Sequence, residues 1–173
     1  MQEVGESGAW REIPYDDAWW PFEARFGFRA SVDAAGPPAI DEPHGAVTLD
    51  LAPVFDAGPA PFAAGSAAVD AVALRAFVDL LGQDGLEGGD GELVALDWQH
   101  PAYRWSPARH ALGGGTWRVP VVPDGDYRAH VHPDQVWGTF GHPWQRTLTV
   151  WGEPLVATLG AELAAWLPVR RRA

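Results

Sequence analysis

The hydrophobic period changes several times along this chain, and each change predicts an element. Asp16 and Asp17 stand before Trp19, Trp20, Phe22 and Phe26. That order predicts a short helix from about Asp16 to Arg25, with its acids at the positive end of the dipole. Pro21 fits such a helix only in its first turn. Residues 27–32 alternate like a strand, and so do residues 46–51. The Pro-, Gly- and Ala-rich stretch 52–65 reads as a loop. The clearest helix follows Ser66 as N-cap, with Val69, Val72, Ala73, Ala76, Phe77 and Leu80 on one face and Gly82 just past its end.

Residues 88–91 read as a turn, and 92–98 as a strand. Residues 117–122 look extended. Pro123-Asp124-Gly125-Asp126 follows with hairpin-turn chemistry. In the next strand Tyr127, Ala129 and Val131 share one face, and Arg128, His130 and His132 the other. Residues 138–144 read as a loop leading into a strand at 147–151. A closing helix begins at Pro154, carries the stripe Leu155, Leu159, Leu163 and Trp166, and stops at Pro168. Strand–helix–strand alternation is absent. The order predicts one α+β domain over residues 1–173, with a mostly antiparallel sheet and about three helices packed mainly on one face. Residues 1–14 and 168–173 read as loose termini.

Composition narrows the chemistry. No cysteine is present, which excludes thiol catalysis, disulfides and Cys-ligated metal. All 12 basic residues are Arg, so there is no phosphate-binding or Schiff-base lysine. Lys and Asn are both absent, a pattern that codon bias in a GC-rich genome explains. The net charge is −11, a sign that repels nucleic acid and anionic lipid. Residues 1–97 carry 4 Arg against 18 acids, while residues 98–173 carry 8 Arg against 5 acids. The acidic half suits a basic protein partner. There is no apolar run of membrane-spanning length and no signal-peptide pattern. The expected location is cytoplasmic, and no cofactor is expected.

Three of six histidines precede proline: His100-Pro101, His132-Pro133 and His142-Pro143. A pre-proline residue is pushed out of helices, so these imidazoles sit at strand ends or loops. His130 and His132 form an H-x-H pair that could offer two nitrogens to one metal. Arg128 on the same face opposes a cation, and exposed or hydrogen-bonded structural histidines are the competing reading. No Ser elbow, phosphate loop, EF-hand or zinc-protease motif is present. Ten Trp are a surplus. Trp98, Tyr103, Trp105 and Trp144 lie near turns or prolines and could line a groove, although most Trp should be core.

Two segments resemble a known group. They are Leu96-Asp97-Trp98-Gln99-His100-Pro101-Ala102-Tyr103, and Pro123-Asp124-Gly125-Asp126-Tyr127 with Gly138-Thr139-Phe140-Gly141-His142-Pro143-Trp144. Together they are similar to a bacterial family catalogued as domain of unknown function 2716. The resemblance brings no activity and no catalytic residues. It directs attention to Trp98, His100, Tyr103, Asp126, Tyr127, His142 and Trp144.

Three functional readings follow. The first is a non-catalytic binding module of the immunity-protein kind, with Trp98, Tyr103, Tyr127 and Trp144 as candidate contacts. The second is a small enzyme using His100 and His142 with Asp97 or Asp126 as acid–base groups. The third is a metal-binding domain through His130 and His132. Whether the chain is an enzyme stays open.

Overall fold

The structure, a computed structural model, describes residues 8–82 and 91–173. The turn expected at 88–91 lies largely outside them.

Eight strands form one antiparallel sheet. They are β1 (Trp10–Ile13), β2 (Val47–Asp50), β3 (Leu93–Asp97), β4 (Ala102–Trp105), β5 (Arg128–Val131), β6 (Gly138–His142), β7 (Thr147–Trp151) and β8 (Val169–Arg172). Their spatial order is β1-β4-β3-β5-β6-β7-β2-β8. The α+β reading therefore holds.

Helix α1 (Tyr15–Phe26) covers the expected span and ends on a left-handed Gly27, expected instead to open a strand, whose N–H returns to the Glu23 carbonyl. Pro21 lies inside the helix rather than in its first turn. Its ring is exposed, and the Asp17 carbonyl loses its helical donor there. Two short helices, α2 (Ala52–Phe55) and α4 (Pro107–Gly113), were not foreseen. Helix α3 (Pro59–Leu81) starts well before Ser66, with Gly58 as its cap and Pro59 in its first turn. Prolines are tolerated there because first-turn N–H groups lack helical partners anyway, and the alanines propagate the helix. The closing helix runs from α5 (Glu153–Leu155) through a π-helical stretch, Val156–Gly160, into α6 (Ala161–Ala164).

Both expected loose ends contain edge strands, β1 and β8. The Arg run joins the sheet because Arg171 Nε donates to both Glu42 carboxylate oxygens at 3.0 Å. Lining an edge with charge also blunts it against pairing with another chain. Residues 27–32 and 117–122 form no strand. The Asp-Gly turn makes no hairpin, because β5 pairs with β3 and β6 instead. The segment Gly138–His142 is a strand rather than a loop.

The helices cover both faces, which corrects the one-face expectation. On one face α3 and the closing helix pack over Leu49, Leu93, Trp105 and Leu148. On the other, Trp19, Phe22 and Phe26 of α1 meet Tyr127, Phe140 and Trp151. The reason lies in the central strands: every residue of β6 and β7 is buried, so neither face can be left to water. Among the described residues no helix is long and apolar enough to cross a membrane.

Candidate functional site

Antiparallel pairing brings remote motifs to one end of the sheet. Asp97 closes β3 opposite Arg128, and Arg128 lies opposite Gly141. A Cβ added at Gly141 would stand 2.7 Å from the Pro123 ring, so only glycine lets these segments approach so closely. Residues 97–103, 123–127 and 138–144 thus become neighbours through strand register.

The His100 corner begins as a turn, with His100 N–H donating to the Asp97 carbonyl at 3.0 Å. Gln99 takes a left-handed φ of 64° within it, which strains a side-chain-bearing residue. His100 Nδ1 faces the Trp98 carbonyl at 3.0 Å, Asp126 Oδ2 at 3.4 Å and Asp97 Oδ1 at 3.6 Å. Three acceptors around one nitrogen assign it the ring proton. Nε2 has no partner among the described residues, and the His100 side chain is 55% exposed. Burial pushes the Asp97 carboxyl above its usual range; Arg128 and then His100 pull it back, and Asp126 pushes it up. Arg128 Nε lies 3.7 Å from Asp97 Oδ1, and both atoms are buried without a hydrogen bond.

Glu12, Ile13, Pro14, Tyr15, Gln99, His100 and Pro101 line an open groove of about 860 Å³ beside this corner. The Gln99 N–H donates to the Tyr15 hydroxyl at 3.4 Å. Burial raises the Tyr15 pKa, with the Gln99 hydrogen bond acting against it. Sequence reading brought neither Tyr15 nor Glu12 to the site. Their signal was the β1 strand, hidden in a polar terminus.

The His142 corner is closed. Gln145 N–H donates to His142 Nδ1 at 3.1 Å, which leaves the proton on Nε2, 3.4 Å from the Tyr127 hydroxyl. That hydroxyl accepts from Ser31 N–H at 2.8 Å and donates to the Ser31 carbonyl. Burial first, and then Arg171 and Arg170, push the His142 pKa down to about 4. No room for a ligand exists in the small pocket it lines.

The geometry joins what the motifs suggested to what comparison finds. The model of a family described as "Protein of unknown function (DUF2716)" matches residues 11–156. The chain belongs to this family. An uncharacterized protein of Bacillus subtilis (strain 168), YxiI, is 43% identical over 74 residues, 42% of this chain and 46% of that protein. The chain thus spans under half the length of that curated relative. No solved structure matches.

Within this DUF2716 chain, Asp97, His100 and Asp126 come together, and His142 does not join their groove. His130 and His132 also stand apart. His130 is fully buried against Phe77, Trp105 and Trp117, and burial pushes its pKa down to about 3. His132 Nδ1 accepts from Asp134 N–H at 3.1 Å. Among the described residues the group spaced to hold a cation is Asp97, His100 and Asp126, within 4.8 Å of one another. A cation bound there through Nδ1 would have to displace the ring proton. The four aromatic candidates line neither the groove, nor the pocket beside His142, nor the cavity lined by Arg11 and Phe22. Trp98 packs on Phe28 and Tyr127, Trp144 on Tyr127, and Tyr103 on Trp10. Tyr127 itself is fully buried.

Proposed function

We propose that the chain is a protein-binding module whose groove beside His100 takes a basic segment of a partner. The observation that carries this reading is an open groove lined by Glu12 and His100, with the Asp126 and Asp97 carboxylates 3.4 and 3.6 Å from the His100 ring. Arg128 offsets one of these charges, so a net negative field remains to attract guanidinium or ammonium groups. The net charge of −11 steers such a partner from a distance.

The test is calorimetric titration with an Arg/Lys decapeptide at 20 mM and 200 mM salt. Glu12→Gln with Asp126→Asn should weaken binding at least tenfold. The control, Asp79→Asn with Glu153→Gln, changes net charge equally and should leave binding within twofold. Equal weakening in both, or no binding at 20 mM salt, would overturn the reading.

A second reading is supported by the tautomer of His100. Nδ1–H donated to the Trp98 carbonyl, with the Asp126 and Asp97 carboxylates beside it, leaves Nε2 as a proton acceptor beside the groove, the arrangement of a general base. A panel of chromogenic esters and phosphodiesters tests it. Turnover lost in His100→Ala supports catalysis, and identical background rates in both proteins remove it for those classes.

A further inference from the structure

A second cavity, of about 350 Å³, lies under α1 on the opposite side of the Ile13-Pro14 junction from the groove. Strand register sets its floor. Arg11 of β1 stands opposite Arg104 of β4, Arg104 opposite Val94 of β3, and Val94 opposite Val131 of β5. Phe22 of α1 and Leu96 complete an apolar wall, and His132, Pro133 and Gln135 stand on the β5 side.

Two like charges directly opposite on neighbouring strands repel and destabilise the pairing, and an anion between them would relieve it. Arg11 has Glu92 at 3.7 Å, and its side chain is 65% exposed. Arg104 is half-buried and has no hydrogen-bond or ion-pair partner among the described residues. A guanidinium presents five donors in a planar fork that matches a carboxylate. Asp17 is the one acid among the lining residues, at the α1 side of the cavity. Cation and hydrocarbon therefore share one partly open space within the size range of small-molecule sites.

We propose that this cavity binds a small carboxylic acid with an apolar body. The carboxylate lies on the Arg104 guanidinium, with Arg11 assisting, and the body lies against Ile13 and Val94, which are backed by buried Phe22, Leu96 and Val131. This site stands apart from the His100 groove and does not depend on what that groove binds.

The test uses 3-phenylpropanoate as probe, titrated into the full chain and followed by calorimetry and by amide chemical shifts. The acid should bind at least tenfold more tightly than 3-phenylpropanol, with shifts centred on β4 and α1. Arg104→Gln should remove that preference, and Arg104→Lys should restore part of it. Ala18→Leu, which fills the cavity from α1, should block both compounds. Asp126→Asn in the groove should leave affinity within twofold. Thermal melts establish that each variant is folded, and Arg104→Lys keeps the test valid should Arg104→Gln fail to fold. Equal affinity for acid and alcohol, no binding at millimolar probe, or inorganic phosphate competing as well as the acid would each overturn the proposal.

Discussion

Two corners of this protein carry the same His-Pro dipeptide and do opposite things. At His142-Pro143 both ring nitrogens are engaged by the protein, and the imidazole is 2% exposed. At His100-Pro101 one nitrogen faces two carboxylates and a carbonyl, and the ring is half in solvent. Both corners also hold a residue in the left-handed region, Gln99 at φ 64° and Arg146 at φ 52°. Gln99 directly precedes its histidine, whereas Arg146 follows His142 by four residues. The difference comes from what packs above each turn: Tyr127 and the Ser31 loop seal one, while the β1–α1 junction leaves the other as a groove wall. A motif with a reactive side chain becomes a site only where the fold leaves that side chain unsatisfied.

The contrast can be broken most directly by deletion. His142→Ala strands the Gln145 N–H in a buried setting and leaves a cavity beside Tyr127, and should cost about 1–3 kcal/mol in denaturant unfolding. His100→Ala should change stability by under about 0.5 kcal/mol, as exposed substitutions do. Equal losses at both positions would erase the distinction.

Acid sharpens the comparison. The folded pKa values of His142 and His130, about 4 and about 3, lie below the ordinary 6.5. The unfolded chain therefore binds more protons at these two sites as pH falls below about 6.5. Their contribution, full above that pH, declines toward pH 4. Asp70, raised to about 6 by burial, acts in the opposite sense: its protonation between pH 6 and 3.8 favours the folded state. Burial also lowers the His110 pKa and raises that of Asp97; three histidines against two carboxyls leave a net loss, so the melting temperature should fall from pH 6.5 to pH 4. The slope should be shallower in His142→Gln.

Smaller effects probe single links. Tyr127→Phe removes the hydroxyl that ties Ser31 to His142 and should cost about 1–2 kcal/mol by urea titration. Asp70→Ala frees the buried Val121 N–H from its 2.8 Å acceptor and should cost a similar amount, about 1–3 kcal/mol. Asp70→Asn, which keeps an acceptor, should cost less than Asp70→Ala. Gln99→Gly relieves left-handed strain at the open corner and should gain roughly 0.5 kcal/mol, since glycine returns part of the benefit as unfolded-state entropy. A clear loss there would mean that the Gln99 side chain makes a contact worth more than the strain.

Much of the frame was legible along the chain. The apolar spacing of α1 and of the second half of α3 located both helices, and the faces of β5 were assigned correctly. Errors gathered where local signals were weak or misleading. The proline-rich start of α3 looked like a loop because proline's first-turn tolerance competes with its breaker reputation. The polar termini looked frayed because pairing along an edge strand leaves little trace in a polar sequence. The Asp-Gly turn looked like a hairpin because a turn does not declare which strand will pair with the next one. Of the acid–base candidates, Asp97, Asp126 and His100 were named and do converge, while Arg128 was set aside as a charge opposing metal. It proved to be the ion partner of Asp97.

Sequence alone determined what depends on short-range sterics and composition: the end of α3 at Gly82, the two faces of β5, the absence of thiol and lysine chemistry, and the resemblance to a family. Tertiary structure alone decided which of three His-Pro turns would be sealed, that Glu12 and Tyr15 would wall the His100 groove, and that Arg11 and Arg104 would face each other under α1. Those outcomes rest on strand order and register. They are set by the summed burial of both sheet faces, and not by the residues beside each motif.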